Sequence, residues 1–139
     1  MSEAIRVLLV DDEGGFISAL SKRLGRRGMS ATAVSDGEEA LAALDREPVD
    51  VMVLDVKMPG MSGMQVLNLV KARHPEVEVI LLTGYADMDC ALQAMSAGAF
   101  DFLVKPVDFE LLGCRIMAAA RGKSLRTECS VPGADAPGE

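Results

Sequence analysis

Hydrophobic and polar positions follow two periods along the chain. Ile5–Val10 (IRVLLV), Val49–Leu54 (VDVMVL) and Val77–Leu82 (VEVILL) are short runs rich in β-branched residues, as parallel strands buried on both faces require. Ala99–Val104 (AFDFLV) predicts a further strand, and the more polar Ser30–Val34 (SATAV) suits a sheet edge. Between these runs the apolar spacing is helical. Phe16, Ala19, Leu20 and Leu24 keep the 3.6 period up to a stop at Gly28, and Ala40, Leu41 and Leu44 follow a capping box of Ser35 and Glu38. Ser62 and Gln65 open a third helix that ends before Pro75. Asp87 caps a fourth, with Met88, Ala91, Leu92 and Met95 on one face and Gly98 as its stop, and Asp108 caps a fifth running to about Arg121.

Strand followed by helix, five times over, predicts an α/β fold: right-handed crossovers build one parallel sheet with helices on both faces. No repeat and no second domain are visible. From Gly122 the periodicity stops and Gly, Pro, Ala and Ser dominate, so the expectation is one domain over 1–122 and a flexible tail over 123–139.

With 139 residues, half of them apolar, the chain is long enough for a conventional core. Fourteen basic against twenty-one acidic side chains give a net charge of -7, the wrong sign for a phosphate-backbone binder, and no Lys/Arg cluster is expected to offset it. Direct nucleic-acid binding is not expected. The aromatics Phe16, Tyr85, Phe100, Phe102 and Phe109 are too scattered for a base-stacking platform. Apolar runs fall well short of the ~20 residues that span a bilayer, and Met1-Ser2-Glu3-Ala4-Ile5-Arg6 lacks a signal-peptide layout, so a cytoplasmic protein without membrane contact is expected. Cys90, Cys114 and Cys129 show no ligand spacing and read as reduced thiols. A single histidine, His74, placed at a helix end, nearly excludes Ser-His-Asp and multi-His metal chemistry.

Polar residues stand where the buried strands end: Asp11 and Asp12 after the first, Asp55 after the third, Thr83 after the fourth and Lys105 after the fifth. In an open α/β sheet, ligands bind outside the carboxyl ends of the strands, where the winding reverses. If the second strand lies outside the first, that crevice falls between strands one and three and the three aspartates converge, with Thr83 and Lys105 arriving from the opposite side of Asp55. Three close carboxylates repel one another and raise each other's pKa unless a hard cation and Lys105 offset their charge. Oxygen-only ligands point to Mg²⁺, and the central Asp55 is then the candidate nucleophile.

The segments VDDE (Val10 to Glu13), LDVKMPGMSG (Leu54 to Gly63), LLTGYAD (Leu81 to Asp87) and GAFDFLVKP (Gly98 to Pro106) closely resemble the receiver domain of two-component response regulators over about Ala4 to Gly122. The LLTGYAD stretch is similar to receivers of enhancer-binding transcriptional activators. The resemblance implies a flavodoxin-like (βα)5 three-layer sandwich with strand order 2-1-3-4-5. It also implies phosphoryl transfer to Asp55 from a sensor histidine kinase, a phosphotransfer protein or a small acyl phosphate.

Position by position, it implies that Asp12 binds Mg²⁺ directly, that Asp11 acts largely through water, and that the Lys57 carbonyl completes the ligands with Asp55. Thr83 and Lys105 match the pair contacting the phosphoryl group, and Thr83 and Phe102 the switch pair, with Phe where Tyr is frequent. Lys57 and Tyr85 match positions that tune dephosphorylation, and Lys105-Pro106 a cis bond. Output is then a remodelled surface of helix four, strand five and helix five, binding a downstream effector protein, an effector domain beyond this segment, or a second copy as a dimer. The domain is thus a phosphoacceptor that assists its own phosphorylation and dephosphorylation, not an enzyme. Two alternatives are weaker. A haloacid-dehalogenase-like phosphatase wants a second Asp two residues after the nucleophile, where Lys57 stands; a pseudo-receiver would lack part of the phosphorylation set.

Overall fold

The computed structural model describes residues 4–58 and 60–129. Five strands, β1 (Arg6–Val10), β2 (Ser30–Val34), β3 (Val51–Asp55), β4 (Glu78–Thr83) and β5 (Asp101–Val104), alternate with α1 (Gly14–Arg26), α2 (Gly37–Arg46), α3 (Gly63–Arg73), α4 (Met88–Ser96) and α5 (Phe109–Cys129). The strands form one parallel sheet in the order β2-β1-β3-β4-β5. β3 and β4 are buried along their whole length, whereas β2, at the edge, has only exposed and half-buried positions.

Side-chain alternation splits the core in two. Leu8, Val10, Met52, Leu54, Val79 and Leu81 face α2, α3 and α4, while Val7, Leu9, Val51, Val53, Ile80 and Leu82 face α1 and α5. Because β2 lies outside β1 and β3 lies on its other side, the chain reverses its winding between β1 and β3, and their carboxyl ends open one crevice.

Several element ends differ from the sequence expectation. α2 is capped by Asp36, one residue later than expected: Asp36 accepts from the Glu39 amide at 2.8 Å, and the Glu39 carboxylate takes the Ser35 amide and hydroxyl, so Ser35 and Glu38 form no capping box. β5 begins at Asp101 because Ala99 closes the end of α4, its amide bonding the Ala94 carbonyl at 3.0 Å beside Gly98 at φ 108°. α5 continues to Cys129, past Gly122, so part of the expected tail is helical; residues 130–139 of that tail lie outside the described residues. Ser62 and Gln65 form the expected capping box, and Asp108 caps α5.

A basic cluster, which was not expected, does occur. Arg23, Arg26 and Arg27 line a cavity of about 230 Å³ between α1 and α5, with Arg23 5.0 Å from the Phe109 ring centre and Arg27 3.6 Å from Glu110. The three arginines lie within five residues, at the i, i+3 and i+4 spacing that puts them on one helical face, and α5 adds Phe109 and Glu110 to the cavity wall.

Candidate functional site

The crevice is built from strand ends. Asp11 follows β1 and is almost fully buried, Asp55 is the last residue of β3, and Asp12 is exposed at the rim. One carboxylate oxygen from each of Asp11, Asp12 and Asp55 lies within 4.8 Å of the others. An all-carboxylate donor set without His or Cys fits a hard divalent cation, and mutual repulsion of the three charges gives the cation its driving force.

Asp55 is positioned from both sides of its strand. The Lys57 amide donates to Oδ1 at 3.3 Å, and the Val56 amide bonds the Leu82 carbonyl at 3.0 Å, tying the loop after β3 to β4. Gly63 seats this loop on the start of α3: its amide bonds the Val56 carbonyl at 3.0 Å, and a Cβ there would lie 2.8 Å from the Asp55 carbonyl oxygen and from Val56 Cα. Burial, and after it the charge of Asp11, push the Asp55 carboxyl up to about 6, against the opposing pull of Lys105.

Lys105 lies among the carboxylates and also reaches Glu13. Its Nζ donates to Asp11 Oδ2 at 3.0 Å, to Glu13 Oε1 at 3.0 Å and to Asp55 Oδ2 at 3.5 Å, so it reaches across the crevice to the β1 side. The closer carboxylates win because each adds charge-assisted hydrogen bonding. Burial by itself disfavours the ammonium, but the hydrogen bonds to Glu13 and Asp11 and the charges of Asp55 and Asp11 outweigh it and hold its pKa above the ordinary lysine range.

Two residues join the site without having been singled out as members of it. Glu13 pairs with Lys105, and the Phe16 ring lies 5.1 Å beneath the same ammonium. Glu13 was detectable as the third acid of an unbroken run; Phe16 reads only as the apolar face of α1.

Thr83 is buried beside Asp55 at the end of β4, and its hydroxyl donates to the Gly84 carbonyl at 3.2 Å. Lys105 is held next to it by its own amide, which bonds the Thr83 carbonyl at 2.7 Å, and the Lys105-Pro106 bond is cis. Phe102 is half-buried, paired in register with Leu81 and packed against the core on the α4 side. The Lys57 side chain points to Asp87, Nζ to Oδ1 3.7 Å. His74 closes α3 and faces Asp45 at 3.0 Å.

Residues 7–117 match the sequence profile of the response regulator receiver domain. The chain belongs to the response regulator receiver family. It is 40% identical over 104 residues to the DNA-binding transcriptional regulator NtrC of Salmonella typhimurium, covering 75% of this chain and 22% of that protein. It is 43% identical over 109 residues to the response regulator protein FleR of Pseudomonas aeruginosa, covering 78% and 23%. The receiver thus spans about a quarter of these curated relatives. The crystal structure of a response regulator receiver domain protein from Clostridium thermocellum superposes with a TM-score of 0.84 at 35% identity, over 88% of this chain and 98% of that one. This receiver is therefore a two-component signalling module, and transfer of a phosphoryl group to an aspartate is the function of its family.

Proposed function

We propose that Asp55 is the phosphoacceptor of a cytoplasmic switch driven by a sensor histidine kinase, a phosphotransfer protein or a small acyl phosphate. The observation that carries this reading is the position of a buried carboxylate at the end of a central strand, with two further carboxylates within 4.8 Å and the Lys105 ammonium at 3.5 Å. With a pKa of about 6, Asp55 is mostly ionised at neutral pH, as a nucleophile must be. An Asp55 oxygen attacks phosphorus; the new O–P bond forms as the bond from phosphorus to the imidazole nitrogen, or to the acyl oxygen, breaks.

Asp11, Asp12, Asp55 and the Lys57 carbonyl are the groups to hold Mg²⁺, which when bound neutralises charge on the phosphoryl oxygens. Lys105 meets that charge from the protein side, and the Thr83 hydroxyl turns from the Gly84 carbonyl toward a phosphoryl oxygen. Movement of Thr83 opens space that Phe102, already half-buried, fills more deeply. Thr83 and Phe102 thereby couple the crevice to the surface of α4, β5 and α5. That surface exposes Leu92 and Met95 on α4 and Leu111 on α5, side chains suited to an effector or a second copy. The domain, over 1–122, acts as a phosphoacceptor that assists its own phosphorylation and dephosphorylation.

Incubation with acetyl phosphate and Mg²⁺ tests the assignment. Intact mass should rise by one phosphoryl group, and Asp55→Asn should lose the adduct; full phosphorylation of that variant would overturn it.

A further inference from the structure

Asp87 ends a 3-10 turn (Tyr85–Asp87) that leads directly into α4, its amide bonded to the Gly84 carbonyl at 3.0 Å; the turn sets its backbone at φ -112° and ψ 20°, and its side chain makes no capping hydrogen bond to α4. Its carboxylate faces Lys57 instead, Oδ1 to Nζ 3.7 Å, with only 18% of the Asp87 side chain exposed. Asp36, Ser62 and Asp108 each accept from an amide of the turn they precede, whereas Glu13, ahead of α1, makes no side-chain cap, as Asp87 makes none. Two roles are open to the Asp87 carboxylate, and here it pairs with Lys57 while the first turn of α4 has no side-chain cap.

Lys57 is equally constrained at its other end. It lies two residues after Asp55, and its amide donates to Asp55 Oδ1 at 3.3 Å, so any new group on that carboxylate arrives beside its backbone. A phosphoryl group adds about -1.5 to -2 charge and three acceptor oxygens, a stronger attractor for the 73% exposed ammonium than one carboxylate. Because its lysine end is exposed, water and salt screen the pair and it is easily exchanged.

We propose that the Lys57–Asp87 ion pair is a latch between the loop after β3 and the start of α4: it withholds Asp87 from α4 until charge at Asp55 draws Lys57 away, and the freed carboxylate then caps the helix at the Asp89 or Cys90 amide. The negative charge so released also favours the positive end of the helix dipole. Lys57 and Asp87 act here as positioning residues, and the latch gives α4 a signal route that does not pass through the Thr83 hydroxyl. It rests on phosphorylation at Asp55 for its trigger, but the pair itself is open to test without a phosphoryl donor.

The experiment compares wild type, Lys57→Gln, Asp87→Ala and the double variant by amide NMR and hydrogen exchange, without acetyl phosphate. Lys57→Gln should release Asp87, shift the amides of residues 88 to 91, and raise exchange protection in the first turn of α4 about fivefold, the worth of one N-cap. Asp87→Ala should abolish that response in the double variant, and the swap of Lys57→Asp with Asp87→Lys should restore the wild-type pattern. Amides of 88 to 91 unmoved in Lys57→Gln, or moved equally in the Asp87→Ala background, overturn the latch. A parallel intact-mass assay of wild type with acetyl phosphate reports on Asp55 separately, so loss of the trigger and loss of the latch give different results.

Discussion

The Lys105 ammonium and the Asp11 carboxylate, 94 residues apart in sequence, meet at 3.0 Å at the carboxyl end of the sheet, and the contact links the end of β5 to the end of β1 across β4 and β3. In this state the lysine lies nearer to Asp11 and Glu13 than to Asp55. Asp55 is thereby left with only partial compensation of its charge, which is why burial dominates its proton affinity. A site that starts under-neutralised gains from either a cation or a proton, and each has a measurable consequence.

Mg²⁺ should raise the thermal midpoint. Asp11, Asp12 and Asp55 present oxygens within 4.8 Å of one another only in the folded chain, so metal binding stabilises the native state by mass action. At millimolar Mg²⁺ a rise of a few degrees is expected by calorimetry, and Asp12→Ala should remove most of it. An unchanged wild-type midpoint would count against the cation site.

Without metal, stability should fall as pH rises from about 4 to about 6. The folded Asp55 carboxyl holds its proton up to about 6, against 3.8 for the unfolded group, so over that window the native state binds more protons. The sign is therefore opposite to that of a salt-bridged aspartate, and ionisation costs the native state on the order of 2–3 kcal/mol. Urea unfolding at pH 4 and pH 7.5 should show Asp55→Asn more stable than wild type at the higher pH, with the gap narrowing at the lower. A constant gap would contradict the burial account.

Lys105→Met should destabilise the domain at pH 7.5 by about 1–3 kcal/mol, since Asp11 and Asp55 then lose their shared counter-charge inside the crevice. Added Mg²⁺ should recover part of the loss. Urea midpoints with and without the metal decide the matter, and a midpoint equal to wild type in both would show that the contacts carry no net energy.

Gly63→Ala should perturb the acceptor loop more than the helix that contains it. A Cβ at this position meets the Asp55 carbonyl oxygen and Val56 Cα at 2.8 Å, both of them backbone, so the loop must shift. A loss of about 1–3 kcal/mol is expected from such overpacking, together with slower phosphorylation by acetyl phosphate. Wild-type stability with wild-type phosphorylation would show that the loop yields without cost.

The periodicity of the chain by itself determined the α/β architecture. Continuous apolar runs at Val7–Val10, Val51–Leu54 and Val79–Leu82 have no stable place except a sheet covered on both faces, and helical spacing between them supplies the covers. Because strands end where the apolar run ends, the placement of Asp11, Asp55 and Thr83 at one edge of that sheet was legible too. The tertiary structure decided which charged groups touch. Lys105 settles on Asp11 and Glu13, Phe16 forms its seat, Lys57 takes the carboxylate of Asp87, and Phe109 and Glu110 of α5 close over the arginines at the end of α1. Strand and helix periods are local properties of backbone geometry and burial. The partner of a long charged side chain depends on distances and dielectric across elements far apart in sequence, and those exist only once the sheet has closed over its helices.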